Sequence, residues 1–78
     1  SVRYMSIIIE RGKMGQLLLS FDYDEEIIRK VKTIRGRKWD PVEKKWILID
    51  NMSTIYKIYE LFPHSEIIDC RQNDDSRA

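Results

Sequence analysis

Two strand-like runs separated by a glycine-containing turn occupy the first part of the chain. Residues 2–10 include Ile7-Ile8-Ile9, a β-branched run that predicts a strand. Residues 12–15 (Gly-Lys-Met-Gly) can adopt the positive φ angles that a tight turn requires. Residues 16–21 therefore predict a second strand, antiparallel to the first.

An acidic segment at residues 22–26 marks the point at which the pattern changes to helical periodicity. Asp22 or Asp24 can cap the helix, and Asp22 with Glu25 has the spacing of a capping box. We expect the helix to continue to about residue 34 and to stop at Gly36. The buried positions of this helix would be Ile27, Ile28, Val31 and Ile34. These carboxylates could in principle bind a metal, but helix capping explains them with fewer assumptions.

A second hairpin is predicted from strands at residues 37–40 and 44–49. Pro41 suits the second position of a tight turn, and Asp40 suits the first. In this register Trp39 and Trp46 lie opposite each other on one face of the sheet. Residues 46–49 are apolar at every position, which predicts a central strand covered on both faces.

The remaining pattern predicts a second helix and one short strand. Asn51 or Ser53 would cap the helix, which would end at Phe62 because Pro63 follows. The apolar stripe of this helix would comprise Met52, Ile55, Ile58 or Tyr59, and Phe62. Residues 66–70 predict the last strand.

These elements predict an α+β fold in the order ββαββαβ. Two helices would pack on one face of a small antiparallel sheet. We expect residues 1–70 to form a single domain and residues 71–78 to form a polar tail or linker.

The composition gives little support to catalysis. Cys70 is the only cysteine and His64 the only histidine, which excludes an internal disulfide and a His cluster. We expect His64 to be exposed in a loop and Cys70 to be a small buried residue of the last strand. The sequence therefore predicts no enzyme activity and no cofactor. Its apolar runs are too short to span a bilayer, and no signal-peptide pattern is present, so the expected location is the cytoplasm.

Charge is distributed unevenly although the formal net charge is only +1. Residues 29–46 contain eight Lys or Arg and two acidic residues, a local charge of +6. Residues 1–28 contain three basic and five acidic residues, and residues 66–78 contain two and four, so each segment has a local charge of −2. The central block is therefore the part of the chain that could attract a polyanion.

The most informative segment is residues 35–46, in which five Lys or Arg accompany the two tryptophans. Cations meet phosphates and flat rings meet bases, so this combination favours nucleic acid. Alternation places Lys38 and Lys45 on the face opposite the indoles, and Arg35 and Arg37 at the helix-to-strand junction. The same segment also makes a sound hairpin, in which the tryptophans would simply pack in the core.

The residues from Phe21 to Trp46 carry a family resemblance. They read F-x-Y-D-x-E-I-I-x-x-V-K-x-I-x-G-R-K-W-D-P-x-x-K-x-W. This motif resembles the N-terminal accessory module of tyrosine recombinases and phage-type integrases, in which a Gly-Arg-Arg-Trp-Asp-Pro-Glu type of turn is typical. It is also similar to the HARP-like modules that precede Swi/Snf-type ATPases. The resemblance covers about residues 16–69.

The resemblance implies DNA binding ahead of a larger enzyme, with the catalytic domains of the same parent chain as partners. The DNA-facing candidates that it implies are Arg35, Arg37, Lys38, Lys44 and Lys45. Trp39, Asp40, Pro41 and Trp46 would be the structural signature of the hairpin. The first helix would contribute Arg29 and Lys32 from its outer face. The chain lacks the recombinase Arg-His-Arg-Tyr set and any nucleotide-binding motif, so the parent activity would reside elsewhere.

Two alternative interpretations accompany this one. A protein-interaction module would dock through an exposed edge strand, at residues 2–10 or 66–70, and residues 6–9 could pair with a second copy to give a homodimer. A HARP-like module would prefer forked or partly single-stranded DNA. An accessible Trp39 would favour that function, because stacking on an unpaired base needs an exposed ring.

Overall fold

The computed structural model describes residues 5–71, which form a five-stranded sheet and two helices. The elements are β1 (Ser6–Arg11), β2 (Gln16–Ser20), α1 (Glu25–Val31), β3 (Lys38–Asp40), β4 (Lys45–Ile49), α2 (Met52–Leu61) and β5 (Glu66–Asp69). The predicted α+β class and the order ββαββαβ are confirmed.

The sheet has the strand order β3-β4-β2-β1-β5 and is mixed rather than purely antiparallel. Three neighbouring pairs are antiparallel, but β5 pairs with β1 in parallel, with Ile7 opposite Ile67. The reason is the connection: α2 carries the chain back along the sheet, so β5 runs in the same direction as β4. This return places β1 inside the sheet, and the prediction that residues 2–10 form an edge strand is wrong. The edge strands are β3 and β5.

The core lies between one face of the sheet and the two helices. Apolar side chains from β1, β2 and β4 (Ile7, Ile9, Leu17, Leu19 and Leu48) join Ile27 and Val31 of α1 and Ile55 and Ile58 of α2 in one buried cluster. Ile34 and Phe62 belong to the same cluster, as predicted, whereas Ile28 is only half-buried. Helices on one face of the sheet are therefore confirmed.

No helix within residues 5–71 packs on the second face of the sheet. Ile8, Leu18, Ile47, Ile49 and Ile68 lie on this helix-free face, and Ile49 is 43% exposed. The prediction that residues 46–49 are covered on both faces is wrong. An all-apolar strand does not require two covering layers if one of its faces remains open.

Helix capping follows the sequence signals only in part. The Ile27 N–H donates to Asp24 Oδ1 at 3.0 Å, and the Thr54 N–H donates to Asn51 Oδ1 at 2.8 Å. Asp24 and Asn51 are therefore the N-caps, and the capping box predicted for Asp22 and Glu25 is wrong. Because Asn51 starts α2, Met52 is its first residue and is 61% exposed, so its predicted place in the apolar stripe is also wrong.

The predicted end of α1 needs correction. The helix ends at Val31, and a tighter turn follows in which the Ile34 N–H donates to the Val31 carbonyl at 2.9 Å. Gly36 then adopts a φ of +83°, a conformation that glycine tolerates best. On the inner side of α1, Lys30 Nζ donates to the Leu61 carbonyl at 3.2 Å, which ties α1 to the end of α2.

Ion pairs secure the chain beyond β5. Arg71 donates to Asp69 through Nε at 2.9 Å and Nη2 at 2.7 Å, and it lies 3.8 Å from Asp50. These hydrogen bonds lower the pKa of Asp69 from its usual value of 3.8. Cys70 is half-buried in a turn after the strand rather than within it, and His64 is exposed as predicted. Of the predicted tail, residues 72–78 lie outside the described residues.

Neither a membrane-spanning helix nor a cluster of metal-binding side chains is found between residues 5 and 71. No helix in this range has the length and the hydropathy that crossing a membrane requires. In the same range, no cluster of three or more His, Cys, Asp or Glu side chains could hold a metal ion.

We expect Asp24→Ala to lower the free energy of unfolding by about 1 kcal/mol, because the Ile27 N–H loses its acceptor. Asp22→Ala removes the same charge without removing a cap, so its effect should stay within about 0.5 kcal/mol. Urea denaturation of the two variants checks this assignment. Equal losses would contradict Asp24 as the sole cap.

The ion pair of Asp69 with Arg71 predicts a pH dependence of stability. Because the pKa of Asp69 is lower in the folded chain than in the unfolded chain, its ionised carboxylate stabilises the fold above the unfolded-state pKa of about 3.8. This stability is lost as the pH falls through the folded-state pKa. Urea unfolding at neutral pH should therefore find Asp69→Asn less stable than the parent, with a difference that shrinks below about pH 4. Arg71→Leu should remove most of the same pH dependence. A stability difference between the parent and Asp69→Asn that does not shrink at low pH would contradict the role of this ion pair.

Candidate nucleic-acid interface

A groove of 620 Å³ opens between α1 and the β3–β4 hairpin, on the helix-covered side of the sheet. Its walls are formed by Phe21, Tyr23, Ile28, Lys32, Trp39, Lys44 and Trp46. The groove exists because the helices cover β1, β2 and the end of β4 but leave the edge strand β3 uncovered. We call this feature the aromatic groove.

The two tryptophans of the hairpin form one side of the aromatic groove. They are opposite each other in the β3–β4 register, with ring centroids 5.2 Å apart and planes inclined by 57°. This tilted geometry is favourable for an aromatic pair. Trp46 packs against the core beside its sheet partner Leu19, whereas Trp39 is 49% exposed. Core packing therefore accounts for Trp46 but only for part of the surface of Trp39.

Two cations line the aromatic groove without a partner of their own. The side-chain ammonium groups of Lys32 and Lys44 form no hydrogen bond or ion pair with another residue in the range 5–71. The same holds for three further exposed cations of the segment, Arg35, Arg37 and Lys38. Asp40 forms no ion pair with them, and its Oδ1 instead accepts from the Val42 and Glu43 N–H groups at 3.0 and 3.3 Å. The groove and the adjoining strand therefore present cations that have no ion-pair partner among residues 5–71.

The hairpin turn is wider than predicted. The Lys44 N–H donates to the Asp40 carbonyl at 2.7 Å, and the loop comprises the four residues 41–44 rather than the three residues 41–43 between the predicted strands. The loop ends with Lys44 at a φ of 59°, in the left-handed region that normally favours glycine. A lysine at this position carries backbone strain and directs a cation to the rim of the aromatic groove.

Two of the predicted DNA-facing residues are instead paired with acids. Lys45 lies on the helix-free face, as predicted with Lys38, and its Nζ donates to Glu10 Oε1 at 2.7 Å. This hydrogen bond raises the pKa of Lys45. On the exposed side of α1, Arg29 forms an ion pair with Glu26, one turn earlier in the helix. The predicted set thus divides between the groove, the helix-to-strand junction and the helix-free face.

Besides Trp46, which was assigned to the structural signature of the hairpin, three aromatic or apolar lining residues were not among the predicted site residues. Phe21 and Ile28 were assigned to a strand and to a helix core, and Tyr23 was read only as part of the family motif. Tyr23 is 78% exposed. Its position between two aspartates, in a segment with no apolar periodicity, is the signal that could have identified it as a surface aromatic.

Lys44→Gly should raise the free energy of unfolding by about 0.5–1 kcal/mol, because relief of the left-handed strain exceeds the added chain entropy. Thermal or urea unfolding measures the change. Glu43→Gly, its neighbour in the same loop, lacks a positive φ and should lower stability. Destabilisation by both substitutions would contradict strain at Lys44.

Comparison with known proteins found no relative of this chain. No protein-family model, curated protein or solved structure matches the chain. The resemblance of residues 16–69 to recombinase and HARP-like modules therefore stays a prediction from the motif.

Proposed function

We propose that this chain is a non-catalytic DNA-binding module that holds the phosphate backbone through the cations of residues 32–44. The observation that carries the proposal is the aromatic groove, whose Lys32 and Lys44 have no acidic partner within the described residues. Exposed cations beside flat rings suit a polyanion that carries bases.

The proposal assigns most of the affinity to phosphates rather than to base sequence. Reading the major groove requires a helix or ribbon that presents side chains such as Asn, Gln and Arg to base edges. The seven-residue helix α1 has Arg29 engaged with Glu26 and Lys30 engaged with the Leu61 carbonyl. Binding should therefore be sensitive to salt and tolerant of sequence.

We infer from the motif that the module belongs to a larger DNA-processing enzyme. The first candidate parent is a tyrosine recombinase or phage-type integrase, in which the module would precede the catalytic domains in the same chain. The second is a Swi/Snf-type ATPase with a HARP-like module. The half-exposed ring of Trp39 supports the second candidate, because recognition of forked DNA uses accessible aromatic surface. Either parent would act in the cytoplasm or nucleoid of a prokaryote or its phage.

A protein-docking module is the rival function, and one observation favours it. The helix-free face exposes apolar side chains, and β5 is a free edge beside it. A partner strand added to β5, from another protein or from a second copy, would extend the sheet. Such docking would not depend on the cations of residues 32–44.

Lys32→Ala/Arg37→Ala, which removes one cation of the groove and one at the helix-to-strand junction, should weaken binding of duplex DNA and lower the salt slope by about 2, since each phosphate contact contributes about 0.9. Fluorescence anisotropy at about 50 and 200 mM salt measures both quantities. The expected loss comes from removing cations that have no acidic partner among residues 5–71.

Lys13→Ala/Lys57→Ala is the matched control, because it lowers the net charge equally but lies outside the hairpin and the groove. It should leave the salt slope unchanged. Equal losses in the two variants would show a non-specific response to net charge. Absence of binding to any DNA at the lower salt concentration would reject the DNA-binding function and favour protein docking.

A further inference from the structure

The aromatic groove contains more than phosphate binding needs. Backbone contacts require only accessible cations, yet this groove adds the half-exposed ring of Trp39 and the largely exposed ring of Tyr23, with Phe21 also in its lining. Exposed aromatic surface of this extent lowers solubility and adds nothing to a phosphate contact. Phosphate binding therefore does not account for the exposed aromatic rings, whereas a ligand that stacks on them would.

We propose that the aromatic groove binds one unpaired base of single-stranded DNA, stacked on Trp39, while Lys32 and Lys44 hold the neighbouring phosphates. This inference rests on the proposed DNA-binding function and names the substrate class of the same site. It makes the module a reader of exposed bases rather than of duplex alone.

The shape of the aromatic groove favours a flat heterocycle. Its volume of 620 Å³ falls within the range of about 300–1,000 Å³ that is typical of small-molecule sites, and its lining is largely aromatic. The ring centroids of Trp39 and Trp46 lie 5.2 Å apart, a contact that braces the Trp39 indole while about half of its surface stays accessible. A braced ring loses little conformational entropy on stacking, and every base presents a π-face to it.

The charges of the aromatic groove select a strand in which bases alternate with phosphates. Lys32 comes from α1 and Lys44 from the hairpin, so cations enter the groove from both of its walls. An acidic peptide would satisfy the two lysines but would leave the rings without a stacking partner. A base in a duplex is hidden between its neighbours, so the base that enters must be unpaired.

The test compares oligonucleotides that differ only in their bases. The probes are oligothymidylate of roughly eight nucleotides, an abasic deoxyribose-phosphate chain of the same length, a blunt duplex, and a Glu-rich peptide. Fluorescence anisotropy of each probe gives the affinities, and quenching of tryptophan fluorescence reports stacking. The parent chain should bind oligothymidylate roughly tenfold or more tightly than the abasic chain.

The variants separate ring contact from folding. Trp39→Ala should weaken oligothymidylate binding by roughly tenfold, with duplex and abasic binding changed by about twofold or less, and Trp39→Phe should retain most of the affinity. Tyr23→Ala should weaken oligothymidylate selectively as well, and its high exposure leaves the fold intact. Tyr56→Ala removes a ring from α2 outside the groove, whose exposure of 66% lies between those of Trp39 and Tyr23, and should leave all four affinities unchanged.

The outcomes distinguish this inference from the proposed function. Equal binding of oligothymidylate and the abasic chain, with no effect of Trp39→Ala or Tyr23→Ala, would overturn the base site while leaving backbone binding in place. Failure of duplex and both single strands to bind would overturn the DNA-binding function itself. Quenching by the Glu-rich peptide without quenching by oligothymidylate would overturn the base site in favour of a peptide site.

Discussion

The pairing of Trp39 with Trp46 across the β3–β4 hairpin is the constraint on which the geometry of the site depends. Side chains alternate along a strand, so a slip of one residue would move every side chain of β3 to the other face. Lys38 would then enter the groove, and the exposed indole would lie on the helix-free face. The tilted contact of the rings and the packing of Trp46 against the core together hold the register. This one contact therefore determines which side chains of β3 enter the groove and which lie on the helix-free face.

The two faces of the sheet consequently differ in how their charge is used. On the helix-free face, Lys45 is joined to Glu10 across β2, and the surrounding surface is apolar. On the other face, Lys44 is held at a left-handed φ and Trp39 is left half-exposed at a sheet edge. Both features oppose stability, and strained or exposed groups of this kind concentrate at functional sites. At the groove, therefore, the chain has a backbone conformation and an exposed ring that lower its stability.

Local patterns in the sequence determined much of the fold correctly. The order of elements, the pairing of the tryptophans and the buried stripe of α1 follow from periodicity and turn residues that act over a few positions. The parallel addition of β5 beside β1 joins residues 60 positions apart, and no local signal specifies it. The interior place of β1 was missed for the same reason. Met52 was misassigned because its spacing from Ile55 fits the stripe, whereas it is the first residue of α2 and is 61% exposed.

The sequence predicted which segment carries most of the candidate cations, but it did not predict which side chains share one surface in the folded chain. Composition identified the cations of residues 35–45, yet it could not indicate that Lys45 reaches Glu10, which lies two strands away. The groove itself unites three separate stretches, around Phe21, Ile28 and Trp39, and only the packing of α1 beside the hairpin brings them together. Tyr23 contributes nothing to the core and so left no trace in the hydrophobic pattern.

The central claim is that DNA binds on the groove side of the sheet rather than on the helix-free face. Amide and indole chemical shifts of the ¹⁵N-labelled chain, followed during titration with oligothymidylate, test it most directly. The account predicts the largest changes at the Trp39 indole N–H and at the backbone of Tyr23, Lys32 and Lys44. Changes confined to Ile8, Leu18 and β5, or no changes at all, would contradict it.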